Sequence, residues 1–295
     1  MKAILDYLVK LDRRWVFLLM ALAIVTPLIW PREMPEKPTP IVRDAFNQIE
    51  NLPSGSRILM SFDYDPGSAP ELQPMATALT WHAAKKGHKI YFMALWPLGV
   101  NMIQDTVDLV LHGDFPDIEY GRDYVNLGFK PGAEGVIRLM MTNMRDLFPT
   151  DQVGRSLRDL ELTRDLVKIG EMKLLISISA GSGGSKEWIQ YAATPYNIPI
   201  IIGTTGVSVP GHYPYYPRQM QGMLGAIKGA SEYEYLLAER YPEYAVSPVD
   251  GTRRIEFTRG LERMGPQLVA HIFIMFLIVL GNAILFLQRA MRRAA

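Results

Sequence analysis

The chain has no cysteine among its 295 residues. Disulfide scaffolds, thiolate metal sites and cysteine nucleophiles are therefore excluded. An excess of one charge is also missing, because 31 Lys and Arg residues stand against 30 Asp and Glu residues. With 48% hydrophobic and 21% charged residues, the composition indicates neither a nucleic-acid-coating protein nor a disordered chain. We expect a packed globular protein that has no nucleic acid partner.

Common catalytic motifs are missing as well. No two of the five histidines have the HExxH spacing of a zinc protease. The run GSGGS at 181–185 does not match the nucleophile elbow GxSxG, although Ser182, His212 and Asp63 are the residue types of a hydrolase triad. We therefore assign no catalytic residue, metal ion or cofactor from the sequence, and an enzyme is the less favoured class.

One long apolar run lies near the end of the chain. Leu268–Leu287 is twenty residues long and is interrupted only by His271 and Asn282. About 20 apolar residues cross a bilayer as a helix, so this run predicts a transmembrane helix over 268–288, followed by a basic tail over 289–295. His271 and Asn282 either mark a contact with another helix or are tolerated within the span.

A shorter apolar run lies near the start. Trp15–Trp30 has sixteen residues without a charge, which is marginal for a hydrocarbon core of about 30 Å. Tryptophans at both ends suit the two membrane interfaces. We predict a transmembrane helix over 15–30, preceded by an amphipathic interfacial segment over 1–14. A cleavable signal peptide is the alternative.

The charges beside the two runs do not decide sidedness by themselves, because Lys and Arg are equally frequent on both sides. Long domains cross membranes largely regardless of charge, whereas short basic tails resist translocation. We therefore predict cytoplasmic termini and an extracytoplasmic central region, periplasmic or external, over 31–267.

Between the two runs, strand and helix signals alternate. Short apolar runs predict strands at Arg57–Tyr64, His88–Trp96, Tyr124–Phe129, Lys173–Ser179 and Pro199–Thr205. The intervening and following segments predict helices at Glu71–Lys86, Gly99–Leu111, Gly135–Phe148, 159–172, Lys186–Ala193 and Arg218–Arg240. This alternation is typical of a parallel sheet with helices on both faces.

The predicted fold class is therefore α/β. We expect a three-layer Rossmann-like domain over 53–240, with a mostly parallel sheet of about five strands, flanked by an N-terminal and a C-terminal transmembrane helix. A proline-rich spacer over 31–52 precedes the domain. A return linker over 241–267 follows it and includes a short strand at Arg254–Phe257.

In open parallel sheets, ligands bind beyond the carboxyl ends of the strands. After the fourth predicted strand, the segment Ser177–Ser185 (SISAGSGGS) turns into a helix through Gly181, Ser182, Gly183, Gly184 and Ser185. Glycines allow close approach of the backbone, and helix starts attract anions. This turn is our candidate site for a small anionic or polar ligand, although packing alone also produces glycine-rich turns.

The ends of the first and fifth predicted strands are also polar. Alternation places Asp63 and Asp65 on one side of the first strand, where two carboxylates suit a divalent cation or one serves as a base. A Pro-Gly pair follows them, so ordinary turn chemistry is the favoured interpretation. The fifth strand ends at Thr204 and Thr205, and His212 follows on a proline-rich loop. We include all five residues in the candidate ligand site.

The same loop carries Tyr213, Tyr215 and Tyr216. Rigid aromatic rings beside a polar strand end suit the binding of a small molecule or of another protein, but they equally suit a loop that covers its own core. These tyrosines, with His271 and Asn282, are candidate interface residues.

A row of small residues follows in the predicted helix Arg218–Arg240. Gly222, Gly225 and Gly229 are spaced by three and four residues, so on a helix they would form a groove that admits another element. The domain's own sheet is the more expected occupant of this groove, and a neighbouring subunit is the alternative.

Two functions remain open at this stage. The favoured one is a membrane-anchored structural or ligand-sensing component of a membrane protein assembly, oligomeric, whose partners are the lipid bilayer and itself or another membrane protein. The alternative is a membrane-tethered hydrolase or transferase that acts on an anionic substrate at the glycine- and serine-rich turn.

Overall fold

The structure is a computed structural model that describes residues 12–29 and 37–294. The chain divides into two units, Pro35–Gly260 and a second unit made of Met1–Met34 and Leu261–Ala295. Most of the predicted interfacial segment, 1–14, and the start of the predicted spacer lie outside the described residues.

The larger unit is built on a parallel sheet. Its described strands are β1 (Arg57–Asp63), β2 (Lys89–Ala94), β3 (Tyr124–Phe129), β4 (Leu174–Ser179), β5 (Ile200–Thr204) and β6 (Gly222–Gly225). Their order across the sheet is β3-β2-β1-β4-β5-β6, and every neighbouring pair is parallel. This is a doubly wound order, in which the chain adds strands first on one side of β1 and then on the other. The predicted α/β class is confirmed, with six strands in place of about five.

Helices connect the strands and continue to the end of the chain. They are α1 (Arg13–Ile29), α2 (Pro40–Glu50), α3 (Ala69–Lys85), α4 (Gly99–Thr106), α5 (Ala133–Thr142), α6 (Met144–Leu147), α7 (Ser185–Trp188), α8 (Thr194–Tyr196), α9 (Ala226–Arg240), α10 (Pro242–Ala245) and α11 (Arg259–Ala294). Two π-helical turns occur among the described residues: Val107–His112 extends α4, and Ile189–Ala193 joins α7 to α8.

The strands are buried on both faces, which explains their nearly continuous apolar sequences. On one face, Leu59 and Leu175 belong to a core layer that includes Trp188 of α7 and residues of α5. The other face packs on α3, where the Thr80 hydroxyl lies 3.6 Å from the Met60 sulfur. The sheet therefore forms the middle of three layers.

The sixth strand corrects the predicted helix Arg218–Arg240, because the helix begins only at Ala226. Residues 222–225 pair with β5 instead, with Ile202 opposite Met223 and Gly203 opposite Leu224. The apolar pair Met223-Leu224 completes the sheet, and both side chains are buried. Gly222 and Gly225 consequently lie at the two ends of a strand, and the predicted helical groove of small residues does not form.

The segment 159–172 is also not the predicted helix. It consists of turns and a 3-10 helix at Ile169–Glu171. Its backbone serves tertiary contacts, since the Leu162 carbonyl accepts a hydrogen bond from the Tyr91 hydroxyl at 2.7 Å and the Leu162 N–H donates to the Gly121 carbonyl at 2.8 Å. The three leucines of this segment are buried, whereas Val167 is 44% exposed.

Both segments that flank the predicted domain differ from the structure predicted for them. The predicted spacer 31–52 contains α2, which begins with Pro40 in its first turn, where proline is tolerated. In the predicted return linker, 254–257 is a turn and not a strand, and only an isolated bridge joins Val246 to Arg253. The Tyr244 hydroxyl donates to the Phe257 carbonyl at 2.7 Å, and both side chains are buried.

Among the described residues, one helix is long and apolar enough to cross a membrane. It spans Arg259–Met291 and has a mean hydropathy of 2.5 in its most apolar stretch, which is not buried. The helix α1 is shorter, at 17 residues, with Pro27 inside it and no buried residue. In α11, the Asn282 amide donates to the Ile278 carbonyl of its own helix at 2.9 Å, and His271 is exposed.

Candidate functional site

The carboxyl ends of β1 and β4 meet at the point where the strand order reverses. The chain reaches β2 and β3 on one side of β1 and β4 to β6 on the other. In doubly wound sheets the connections diverge at this point and leave a crevice where ligands bind. The strands here end in Asp63 and Ser179, which lie opposite each other.

A row of polar side chains crosses the sheet at this edge. Asp63 lies opposite Ser179, and Ser179 lies opposite Thr204, so all three share one face of the sheet. One pleat earlier, Ser61 lies opposite Ser177 on the same face. None of the five side chains is more than 2% exposed. We call these five residues the polar row; they lie within an otherwise apolar layer.

Asp63 is the ionisable member of the polar row. Its carboxylate accepts hydrogen bonds from the Ser61 hydroxyl at 2.8 Å and from the Leu95 backbone N–H at 2.7 Å. Burial raises the pKa of Asp63 from 3.8 to about 7, against the lowering effects of these two donors and of the Trp188 indole. The carboxyl group therefore changes between its protonated and ionised forms near neutral pH.

Asp65 does not join Asp63 in a paired site. It lies beyond the end of β1, is partly exposed, and accepts the Ser68 N–H at 3.0 Å within the turn that precedes α3. This contact is the turn chemistry favoured by the sequence. No group of three or more metal-ligating side chains occurs in the part of the chain that the structure describes.

The glycine-rich turn is closed by contacts of its own. The Ser179 hydroxyl donates to the Gly181 carbonyl at 2.9 Å, and the Ser185 and Ser177 hydroxyls are 3.0 Å apart. The Gly184 N–H at the start of α7 donates to the Glu187 carboxylate at 2.8 Å. A side-chain carboxylate thus occupies the position at which an anionic ligand would approach.

The glycines of this turn differ in how closely they are packed. A Cβ added at Gly184 would lie 2.0 Å from the Ser179 hydroxyl, and one added at Gly183 would lie 3.6 Å from the Trp96 indole nitrogen. Gly181 and Ser182 are exposed, and the Trp96 indole donates to the Ser182 carbonyl at 3.3 Å. Packing explains Gly184, while the exposed tip at 181–182 stays open to a ligand.

At the end of β5, two buried polar atoms lack hydrogen-bond partners among the described residues: Thr204 Oγ1 and His212 Nε2. His212 Nδ1 donates to the Ser208 carbonyl at 2.9 Å, so Nε2 is the acceptor of the neutral ring. Burial lowers the pKa of His212 and favours this neutral form. Thr205, by contrast, is partly exposed and donates to the Ser208 hydroxyl at 3.3 Å.

The three candidate tyrosines face different surroundings. The Tyr216 hydroxyl donates to Asp44 at 2.5 Å, and the Tyr215 hydroxyl accepts from Gln190 at 2.9 Å. Both rings pack against the core of the same domain. Tyr213 is 54% exposed and is the tyrosine available to a partner.

The three candidate interface glycines contact their own domain. A Cβ at Gly222 would lie 2.5 Å from the Ala45 backbone of α2, and a Cβ at Gly225 would lie 2.6 Å from Val209. A Cβ at Gly229 would lie 2.7 Å from the Leu224 backbone. The space beside each of these glycines is therefore filled by the domain itself, although not along a helical groove.

Four residues of the site were not predicted from the sequence: Ser61, Ser177, Ser179 and Trp188. A signal for three of them was present, because polar residues recur at every second position in strands that are otherwise apolar: Ser61 and Asp63 in β1, and Ser177 and Ser179 in β4. Trp188 had no such signal; its indole Nε1 is buried without a hydrogen bond of good geometry among the described residues, yet it faces Asp63 closely enough to lower that pKa.

Comparisons with known proteins identify no relative: no protein-family model matches the chain, and neither a curated protein nor a solved structure is significantly similar to it.

Proposed function

We propose that this chain is a membrane-anchored ligand-sensing component of a membrane protein assembly, which binds a small polar ligand at the carboxyl edge of its sheet. The observation that carries the proposal is the buried polar row, Ser61, Asp63, Ser177, Ser179 and Thr204, at the reversal of strand order. Polar groups are costly to bury in an apolar layer. Their concentration at the ligand-binding edge of this fold favours a binding role.

The unpartnered atoms at this edge support a polar, uncharged ligand. Within the described residues, Thr204 Oγ1 and His212 Nε2 are buried without a partner. They offer a hydroxyl and an acceptor. A ligand with hydroxyl or amide groups satisfies both, whereas a phosphate would be repelled by the Glu187 carboxylate, which already accepts the Gly184 N–H. We therefore favour sensing over the hydrolase or transferase alternative.

The anchoring part of the proposal rests on the length and exposure of α11. We propose that α1 is a second, shorter span, that both termini are cytoplasmic, and that the central domain is periplasmic or external. The proposed partners are the lipid bilayer and either a second copy of the chain or another membrane protein. Tyr213 and the exposed apolar faces of α1 and α11 are available for such contacts.

Ligand binding is expected to raise the melting temperature of the detergent-solubilised chain. Mass action at a hundredfold excess over Kd adds about 2.7 kcal/mol of stability. The probes are ribose, glucose, adenosine and uridine, with inorganic phosphate and AMP as anionic comparators. We expect a neutral probe to produce the shift and Thr204→Val to abolish it. A shift with the anions alone would favour the hydrolase or transferase, and no shift with any neutral probe would contradict the proposal.

A matched threonine provides the control. Thr163 is 1% exposed, like Thr204, but its hydroxyl donates to the Leu157 carbonyl at 2.6 Å. Thr163→Val is expected to lower the free energy of unfolding by about 1 kcal/mol and to keep the ligand-induced shift. Thr204→Val removes an unpartnered hydroxyl, so without ligand it is expected to leave stability unchanged or to raise it by about 1 kcal/mol.

Membrane attachment has its own test. When the full chain is expressed in a bacterial inner membrane, alkaline carbonate is expected to leave it in the membrane pellet, because α11 is held by its apolar surface and not by charge. Protease added to spheroplasts is expected to digest the central domain and to spare an epitope placed at the C-terminus. Release by carbonate contradicts the anchor, and protection of the domain contradicts the proposed sidedness.

A further inference from the structure

A cleft of about 460 Å³ opens at the amino edge of the sheet, opposite the polar row. Its walls come from the last turn of α3 (Trp81 and Lys85), from Asp114 and Phe115, and from the segment that carries Glu243 and Arg254. This volume lies within the range of small-molecule sites. The cleft begins directly after the π-helical turn Val107–His112, a type of turn that often accompanies functional sites.

One end of the cleft is an ammonium site. The Lys85 ammonium lies 2.6 Å from the Glu243 carboxylate, 5.8 Å from the centre of the Trp81 ring and 5.7 Å from that of Tyr241. A carboxylate beside two aromatic faces is the arrangement that recognises an ammonium group. The hydrogen bond from Lys85 lowers the pKa of Glu243, so the carboxylate is ionised at neutral pH.

The group that occupies this ammonium site is movable. The side chains of Lys85 and Glu243 are each 36% exposed, and ion pairs exposed to that degree contribute little to stability. Lysine has a flexible four-carbon side chain. An ammonium brought by a ligand is therefore able to replace that of Lys85 and leave Lys85 free at the mouth of the cleft.

The other charges of the cleft are fixed. Asp114 accepts a hydrogen bond from the Trp81 indole at 2.7 Å and pairs with Arg254. Arg254 also donates to the Glu243 carbonyl at 2.9 Å and lies 3.7 Å from the centre of the Phe257 ring. Two cations and two carboxylates line the cleft, so its formal charge is zero and favours a ligand without net charge.

We propose that this cleft binds a small zwitterion, an α-amino acid with an apolar side chain. Its ammonium takes the place of the Lys85 ammonium on Glu243, Trp81 and Tyr241, and its carboxylate pairs with the displaced Lys85. Its side chain packs on Phe115 and Val249, the latter 94% exposed in this structure. The site is separate from the polar row and does not depend on the function proposed there.

The test is a saturation-transfer NMR titration of the full-length, detergent-solubilised chain with L-leucine. The comparators are N-acetyl-L-leucine, which has no ammonium, and isopentylamine, which is leucine without its carboxylate. We expect leucine to bind at about 1 mM or below and both comparators to bind at least about tenfold more weakly. Leucine that does not bind, or N-acetyl-leucine that binds equally well, overturns the proposal.

Two substitutions separate ligand recognition from a structural ion pair. Glu243→Gln is expected to weaken the binding of leucine at least about tenfold. Lys85→Met removes both the competing ammonium and the partner of the ligand carboxylate. It is therefore expected to strengthen the binding of isopentylamine and to make leucine bind no more tightly than isopentylamine. Lys89→Met breaks another 2.6 Å ion pair, with Asp123, and is expected to leave the binding of both ligands unchanged. Unchanged leucine binding in Glu243→Gln, or an unchanged preference in Lys85→Met, overturns the proposal.

Discussion

Gly222→Val is expected to lower the free energy of unfolding of the chain by roughly 3 kcal/mol. Gly222 begins β6, and a Cβ at this position would lie 2.5 Å from both the Cα and the N atom of Ala45. The obstructing atoms belong to the backbone of α2, which cannot move aside as a flexible side chain does. Accommodation therefore requires α2 to separate from the edge of the sheet, with loss of the buried contacts of Phe46 and Ile49.

Urea unfolding of the detergent-solubilised chain measures this loss. Gly135→Ala is the control, because Gly135 lies in α5 with nothing within 4 Å of an added Cβ. That change is expected to be neutral or to stabilise the chain by up to about 1 kcal/mol. If Gly222→Val instead left the stability of the domain intact and changed only its oligomeric state, the glycine would serve a neighbouring subunit, contrary to the packing described above.

The strand that contains Gly222 was predicted as part of a helix because its sequence lacks a strand pattern. β6 has four residues, two of them glycine, so it lacks the apolar alternation that identifies strands. Its helical neighbours in the sequence made the stretch from Arg218 onward resemble one helix. Only the pairing with β5, more than fifteen residues earlier in the chain, defines it as a strand. The five longer strands were recognisable from the sequence without knowledge of their partners, because each is a nearly continuous apolar run.

A similar distinction applies to 159–172. The leucines in this segment are buried, as they would be on the inner face of the predicted helix, yet the helix does not form. In the structure, Leu162 uses its own N–H and C=O groups for contacts with Gly121 and Tyr91, and a continuous helix would have required those groups internally. A spacing of apolar residues identifies the buried side chains and leaves the destination of the backbone hydrogen bonds undetermined.

The sequence predicted where the candidate site lies, at the carboxyl ends of the strands, but only some of the residues that form it. Asp63, Thr204 and the glycine-rich turn follow from the rule that ligands bind beyond strand ends. The pairing of Ser177 with Ser185 and the approach of Trp188 to Asp63 depend on the strand register and on how α7 crosses the sheet. Neither is encoded in local spacing.

The stability of the chain is expected to carry a pH dependence that belongs to Asp63. Burial raises the pKa of Asp63 from 3.8 to about 7 in the folded state, so the folded chain binds this proton more tightly than the unfolded chain does. The resulting stabilisation is complete below pH 3.8, falls progressively between pH 3.8 and 7, and is absent above pH 7. At about 1.36 kcal/mol for each pH unit between those values, the contribution amounts to about 4 kcal/mol.

Asp63→Asn isolates this contribution. The amide oxygen keeps an acceptor for the Leu95 N–H and cannot titrate. The free energy of unfolding of the variant, measured relative to that of the original chain by urea titration, is therefore expected to rise by about 4 kcal/mol from pH 4 to pH 8. Burial lowers the pKa of His82 to about 4, which gives a pH dependence of the opposite sign, but His82 is present in both chains and cancels in the difference.

Ser61→Ala provides the complementary variant. The Ser61 hydroxyl donates to the Asp63 carboxylate at 2.8 Å and lowers its pKa, so removal of this donor is expected to move the loss of stability to higher pH. Parallel stability curves for the original chain and Asp63→Asn between pH 4 and pH 8 would show that Asp63 is ionised in the folded state throughout. In that case the polar row would hold a permanent negative charge, and its preferred ligand would be cationic and not the neutral one proposed above.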